Sequence, residues 1–271
     1  MTPLKIGAAL SYREIAQHRA WLFDDARDIE LQDFMTHDVL TGDWRAVVSE
    51  ARTALAGHTG RLGLHGPYRG LDIDNPDPEV QPLITTRFLT AIEIADAVGA
   101  RQVVIHSPYT RWYHQNRLML PGYRAKKQAH VRAILGPVLA RAEALGVTLV
   151  MENIQDVDPD ERLRLIDALA SPALALSVDT GHAHLARAMS GAPPVDYFVR
   201  AAGARLAHVH LQDLDGHADR HWAPGDGSIE WRAVFAALAD AGSDPHLVLE
   251  LRNKDDLPRG FTWLADQGLA C

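Results

Sequence analysis

The segment from residue 205 to residue 227 combines the side-chain types that bind first-row metals. It opens with alternating apolar residues, as a strand does, and continues into His210, Gln212, Asp213, Asp219 and His221. Imidazoles and carboxylates at the end of a buried strand favour metal coordination. A single histidine there is more often a packed core residue, so the metal interpretation depends on whether the pattern recurs.

Apolar runs that end in His, Asp or Glu do recur along the chain. The polar residues that they deliver are His65, His106, Glu152, Asp179, His182, His210, Asp219, His221 and Glu250. Taken singly, each has a simpler explanation, such as helix capping for Asp179. Carboxylates gathered in one place raise one another's pKa, so a cation is their natural partner. The sequence therefore predicts one to three divalent ions per chain, with Zn, Mn and Co all suited to these ligands.

Bulk composition narrows the class of protein. The 271 residues are 47% hydrophobic and 23% charged, as in packed globular proteins. The single cysteine, Cys271, excludes an internal disulfide and a thiolate zinc site within this sequence. The formal charge of -8 argues against broad nucleic-acid binding. No apolar run approaches the roughly 20 residues of a membrane span, and no signal peptide is evident, so we expect a cytoplasmic protein without a membrane partner.

Eight apolar runs alternate with eight helical patterns. The predicted strands are 5–10, 28–34, 61–64, 102–105, 147–151, 174–178, a run that starts at 205, and 246–249. The predicted helices are 12–24, 44–56, 80–98, 125–145, 159–170, 195–202, 231–241 and 258–266, and 108–124 is predicted to be an irregular, functional loop. This alternation predicts an α/β fold, a single (β/α)8 TIM barrel over residues 1–271. A doubly wound open sheet would need a glycine-rich loop after the first strand, which the sequence lacks.

In such a barrel all strands end at the same face, so the nine polar residues would share one pocket. The pattern resembles the xylose isomerase-like TIM-barrel superfamily, which contains sugar and sugar-phosphate isomerases and epimerases and the endonuclease IV phosphoesterases (AP endonuclease family 2). The resemblance runs from the His65-Gly66-Pro67-Tyr68 turn to the last strand. Similarity to the epimerase branch implies a core metal quartet of Glu152, Asp179, His210 and Glu250.

Similarity to the endonuclease IV branch implies further ligands, which would complete a trinuclear zinc site. They are His65, His106, His182 and the Asp219-Arg220-His221 triplet, followed by Gly225-Asp226-Gly227. Two departures point in opposite directions. The second strand ends as Glu30-Leu31-Gln32-Asp33-Phe34, similar to the sugar isomerases, without the DNA-binding loop of endonuclease IV. Sugar epimerases, however, usually have an arginine where this chain has the Asp219 and His221 pair.

The favoured hypothesis is a metal-dependent isomerase or epimerase acting on a small sugar or sugar phosphate. The metal would stabilise an enediolate, Glu152 and Glu250 would move the proton, and His182 would assist. Expected substrate contacts are Tyr68, Arg111, Trp112, His208 and Arg220, with packing beside the barrel as the alternative for His208. Arg111, Arg124 or Arg220 could hold a phosphate.

Three other functions stay open at this point. A polynuclear zinc phosphoester hydrolase would use all nine ligands, a dehydratase or lyase would use the same metal chemistry, and a noncatalytic barrel would bind sugar without turnover. Nucleic acid is not an expected partner, and a homo-oligomer is possible.

Overall fold

The computed structural model describes residues 2–271 as a closed barrel of eight parallel strands in sequential order. The strands are β1 Gly7–Leu10, β2 Ile29–Leu31, β3 Leu62–His65, β4 Gln102–His106, β5 Thr148–Glu152, β6 Leu174–Asp179, β7 Leu206–Leu211 and β8 His246–Leu249. Each strand pairs with the next, and β8 pairs with β1 to close the barrel. The predicted (β/α)8 TIM barrel is confirmed.

Helices surround the barrel. They are α1 Ile15–Asp24, α2 His37–Thr41, α3 Trp44–Ala54, α4 Gln81–Val98, α5 Arg111–Asn116, α6 Tyr123–Leu145, α7 Asp160–Leu169, α8 Thr180–Ser190, α9 Val195–Ala202, α10 Trp231–Asp240 and α11 Leu257–Asp266. Short 3-10 turns occupy Tyr12–Glu14, Gly203–Arg205 and Lys254–Asp256. No helix within residues 2–271 is both long and apolar enough to cross a membrane.

Burial on both faces explains the continuous apolar runs. All four residues of β1 and all four of β8 are buried, because side chains fill the barrel on one face and the helices cover the other. Four strands extend one residue beyond the predicted ends, so that His65, His106, Glu152 and Asp179 are the last residues of β3 to β6. These side chains therefore start from rigid backbone and not from loops.

Strand β2 is shorter than predicted, and three helices, α2, α5 and α8, were not predicted. Strand β2 has only three residues, because the chain turns directly after Leu31. The stretch predicted to be irregular contains α5, whose start is capped by Thr110: its hydroxyl accepts from the Tyr113 backbone N–H at 3.1 Å. Helix α8 begins immediately after β6 because the Asp179 carboxylate accepts from the His182 backbone N–H at 2.6 Å.

Candidate metal centre and its cleft

Four strand ends converge on a buried cluster, here called the core quartet: Glu152, Asp179, His210 and Glu250. One ligand atom from each residue lies within 4.8 Å of those of the others. The sheet register contributes directly, because Asp179 pairs with His210 across β6 and β7. The register shifts between Leu176 and Ser177 of β6, where Ala207 of β7 has no partner residue. The set of two glutamates, one aspartate and one imidazole suits a divalent cation.

Three further groups meet the same geometric test, and one of them, Glu30 with His208 and His210, lies inside the barrel. The second group is His65, His106 and Glu152, and the third group is His182, Asp219 and His221. Glu152 belongs to both the core quartet and the second group, and the β4 to β5 register pairs it with His106. The structure thus brings together all nine residues that the sequence singled out as ligands.

The charges of the quartet call for a cation. Burial lowers the pKa of His210, but Glu250, Glu30 and Glu152 outweigh burial and raise that pKa well above its usual range. Burial raises the pKa of Asp179 to about 6, and the Glu152 and Glu250 charges act in the same direction. Without a metal, a protonated imidazole is the positive charge among these carboxylates. A divalent ion would supply that charge directly.

One unpaired oxygen gives an independent test of fit. Glu152 Oε2 is buried and has no hydrogen-bond partner. It lies 3.6 Å from His106 Nε2 and 3.9 Å from His65 Nε2, beyond hydrogen-bonding distance. Burial lowers the pKa of His106 to about 3, which leaves a neutral imidazole able to act as a ligand. A carboxylate oxygen facing two imidazole nitrogens fits a metal ion between them.

Glu30, in the middle of β2, supports the quartet from below. Its Oε1 lies 3.0 Å from His210 Nε2, which orients the imidazole so that Nδ1 faces the other carboxylates. His210 Nδ1 lies 3.0 Å from Glu152 Oε1 and 3.5 Å from Glu250 Oε2. Sequence analysis missed this role of Glu30. The available signal was a carboxylate between the apolar residues Ile29 and Leu31.

His208 does not lie where a substrate contact was expected. Residues 208 and 210 are two apart on β7, so both side chains point into the barrel, with His208 one layer deeper. It is 2% exposed, its Nε2 lies 3.0 Å from Glu30 Oε2, and its Nδ1 lies 2.9 Å from Ser177 Oγ. This placement corrects the expected substrate contact: His208 supports Glu30 inside the barrel.

A cleft of about 550 Å³ opens above the quartet. Its lining residues are Gln32, Met35, His65, Tyr68, Arg69, His106, Glu152, Ile154, His182, Asp219, His221, Glu250, Leu251, Arg252 and Lys254. Tyr68 stacks on His106 with 4.4 Å between ring centroids, so this expected substrate contact lies at the cleft.

Three expected substrate contacts do not line the cleft. The Arg111 guanidinium lies 3.3 Å from Met189 Sδ, and Trp112 is 55% exposed. Arg220 pairs with Asp215 at 3.1 Å. Sequence analysis missed instead the cleft residues Gln32, Arg69, Arg252 and Lys254, because loop conformation decides which cations face the cleft.

Known proteins share this architecture. Fructoselysine 3-epimerase of Escherichia coli O157:H7 is 28% identical over 116 residues, which cover 41% of this chain and 40% of that protein. The matches span between 40% and 72% of the length of the curated relatives.

Solved structures match over nearly the whole chain. The TTHB071 protein of Thermus thermophilus, soaked with ZnCl2, is 26% identical with a TM-score of 0.72, over 97% of this chain and 99% of that one. A D-tagatose 3-epimerase-like protein is 21% identical with a TM-score of 0.78, over 97% and 96% of the two chains, and it shows the fold alone. Residues 23–267 match the family described as xylose isomerase-like TIM barrel. The chain belongs to the xylose isomerase-like TIM-barrel family.

Proposed function

We propose that this protein is a divalent-metal-dependent isomerase or epimerase that acts on a small sugar or sugar phosphate. The observation that carries the proposal is the core quartet, in which Glu152 and Glu250 both face His210 Nδ1, at 3.0 and 3.5 Å. Two carboxylates beside one metal position can serve one carbon atom as base and as acid. The name of one relative, fructoselysine 3-epimerase, supports the same class.

A divalent ion held by the quartet would polarise neighbouring carbonyl and hydroxyl oxygens of the sugar and acidify the C–H bond between them. One glutamate then removes the proton from that carbon. In an epimerisation the other glutamate returns a proton to the opposite face, and in an isomerisation the proton is returned to the adjacent carbon. His182 Nδ1 lies 3.1 Å from the Asn153 carbonyl and 3.4 Å from Glu152 Oε1, so this imidazole lies beside the proposed base and can assist the proton transfer.

Glu152→Gln and Glu250→Gln test the proton-transfer roles. Each should lower turnover by about a thousand-fold or more, the upper part of the usual acid–base contribution, while circular dichroism shows a folded barrel. Exchange of the substrate C–H with solvent deuterium should also be lost. Glu143→Gln, on the exposed end of α6, is the matched control. Unchanged deuterium exchange in Glu152→Gln would remove that residue from the catalytic centre.

The second and third groups favour one alternative, a polynuclear phosphoester hydrolase. Nine converging ligands exceed what one metal ion requires. In this alternative Glu152 would hold metal together with both the core quartet and the second group, and the third group would hold a further ion. Elemental analysis of protein purified without chelator separates the two functions. Near three zinc ions per chain would favour the hydrolase, and near one ion, especially manganese or cobalt, would favour the sugar enzyme.

Replacing both Asp219 and His221 with Ala tests the third group alone. On the hypothesis that these residues hold an additional ion, the variant should lose about one metal ion per chain and retain the ion of the core quartet. An unchanged metal count would mean that these two residues serve substrate or structure.

A further inference from the structure

Three cationic side chains line the cleft: Arg69 after β3, and Arg252 and Lys254 after β8. We propose that they form a subsite for a phosphate group, so that the substrate is a phosphorylated sugar and not a free one. The inference rests on the proposed function for the position of the reacting carbons, at the core quartet. Phosphate binding itself does not depend on that reaction.

The charges of these cations are not neutralised by the protein. No carboxylate oxygen in residues 2–271 lies within 4.0 Å of any of the three. The arginines that sequence analysis offered as phosphate ligands differ in this respect. Arg124 pairs with Glu161 at 2.7 Å, and Arg220 pairs with Asp215 at 3.1 Å. The unpaired cations at the cleft are therefore the ones free to bind an anion.

Each cation also keeps hydrogen-bond donors for a ligand. Lys254 Nζ donates to Gln32 Oε1 at 3.0 Å and to Leu251 O at 2.7 Å, which leaves one of its three N–H groups. Arg252 Nη2 donates to the Asp219 carbonyl at 3.2 Å, and Arg69 Nε donates to the Tyr68 hydroxyl at 3.2 Å. Each guanidinium has five N–H groups, so four remain on each.

The total charge of the site depends on the metal count. The nine ligands contain four carboxylates, and Glu30 beside His210 adds a fifth. With one divalent ion the carboxylates keep three negative charges, which the three cations balance. With two or three divalent ions the site has a net positive charge. A cleft with a net positive charge attracts anionic substrates.

A phosphate monoester fits this set better than a carboxylate does. It carries close to two negative charges at neutral pH and three terminal oxygens, and guanidinium groups bind such oxygens in bidentate pairs. The position fits as well, because Lys254 contacts Gln32, whose Nε2 donates to Glu250 Oε1 at 2.8 Å. One side chain thus separates the subsite from the quartet, which suits a sugar with its phosphate here and its reacting carbons at the metal.

The test measures binding of inorganic phosphate to the metal-loaded protein by titration calorimetry. The Arg252→Gln/Lys254→Gln variant should bind phosphate about ten-fold more weakly or worse, with unchanged metal content. The Lys126→Gln/Arg232→Gln variant is the control, since it removes the same charge from two exposed residues outside the cleft. If the Arg252→Gln/Lys254→Gln variant, here called the cleft variant, bound phosphate as tightly as the parent protein, the metal alone would bind the anion. That result would overturn the proposal.

Competition distinguishes a phosphorylated sugar from free phosphate. Fructose 6-phosphate should displace bound phosphate from the parent protein far better than fructose does, and the cleft variant should lose this preference. Equal displacement by the two sugars in the parent protein would overturn the proposal. If phosphate binding depended on the cleft cations but the protein epimerised or isomerised no sugar, the proposed function would be contradicted and the phosphate subsite would be supported. If the cleft variant converted free and phosphorylated sugars as fast as the parent protein does, the proposed function would be supported and the phosphate subsite would be contradicted.

Discussion

The α-carbon of Gly181, in the first turn of α8, packs directly against the side-chain amide of Gln212. A Cβ at residue 181 would lie 2.3 Å from Gln212 Oε1 and 2.5 Å from Nε2. That buried amide links two ligand groups: Nε2 lies 3.2 Å from Asp179 Oδ1 and 3.3 Å from Asp219 Oδ1, and Oε1 accepts from the His221 backbone N–H at 3.1 Å. Because residue 181 is a glycine, there is room for the Gln212 amide that connects the core quartet with the third group.

Gly181→Ala should push the Gln212 amide out of this position. We expect a loss of about 1–3 kcal/mol in the free energy of unfolding, as for other overpacked sites, and weaker metal binding by the third group. Gly63→Ala is the control, because a Cβ there would meet its nearest neighbour, the Gln102 carbonyl, at an ordinary 3.6 Å. Urea unfolding and elemental analysis measure the two effects. Unaltered metal content in Gly181→Ala would show that the third group does not need Gln212.

Asp213 holds the loop that carries Asp219 and His221. Its buried carboxylate accepts four N–H groups: Leu214 N at 2.9 Å and Ile229 N at 3.2 Å on Oδ1, and Gly225 N and Trp231 Nε1, both at 2.9 Å, on Oδ2. Four donors to one carboxylate fix both ends of the loop. The loop needs such support, since His221 has a backbone φ of 51°, a left-handed conformation that is strained for a residue other than glycine.

Asp213→Asn replaces one acceptor oxygen with an amide that donates. The new amide faces at least one N–H group without a partner, so we expect destabilisation of about 1–3 kcal/mol and lower metal content in the third group. Asp226→Asn serves as the comparison, because that carboxylate pairs with Arg259 on the surface and should contribute less than about 1 kcal/mol. Equal unfolding midpoints for the two variants would argue against the role of Asp213.

The fold and the clustering of the nine candidate ligands were predictable because both depend on local sequence. An apolar run marks each strand, and a polar residue at its end marks the ligand that the barrel delivers to its mouth. Glu30 was missed because it lies inside a strand that is only three residues long. His208 was expected near the substrate, with packing beside the barrel as the alternative, but it shares the inward face with His210 and is buried deeper in the barrel.

The cations of the cleft could not be predicted from the sequence. Arg111 and Arg252 each follow a strand closely, yet only Arg252 lines the cleft. Arg111 lies at the start of α5, a helix that the sequence did not reveal, and its side chain turns toward Met189 on α8. Sequence position near the mouth of a barrel therefore identifies candidates, and the path of each loop decides among them.

Arg162 is a fully buried cation behind the quartet. Its Nη1 donates to the Met151 carbonyl at 2.8 Å and to the Ser177 carbonyl, and its Nε lies 3.2 Å from Asp156 Oδ1. Arg162→Met would leave the buried Asp156 carboxylate without its counter-charge, and two strand carbonyls would lose the Arg162 donor. We expect a loss of about 3–5 kcal/mol in unfolding free energy, measured by urea denaturation.

The Arg162→Met/Asp156→Leu variant should lose less than the sum of its single changes, because no charge is then left unpaired. Arg141→Met is the surface comparison: Arg141 Nε lies 2.6 Å from Glu93 Oε1, but both side chains are exposed, so about 0–1 kcal/mol is expected. Additive losses in the double variant would show that the two buried residues are not coupled.

His246, at the start of β8, should make stability depend on pH. The side chain is 6% exposed, and burial lowers its pKa to about 4. The unfolded chain, with a histidine pKa of about 6.5, binds a proton between these values while the folded chain does not. Stability is therefore complete above about pH 6.5 and is lost as the pH falls toward 4, by up to about 3 kcal/mol from this residue.

His246→Gln should remove that part of the pH dependence. Urea unfolding at pH 7.5 and pH 5 gives the difference for each protein, and the difference should shrink in the variant, since the other histidines titrate equally in both. His37→Gln, on an exposed residue at the start of α2, should leave the difference as it is in the parent. If His246→Gln and His37→Gln showed the same pH dependence of stability, His246 of the parent protein would not differ in protonation between the folded and the unfolded chain.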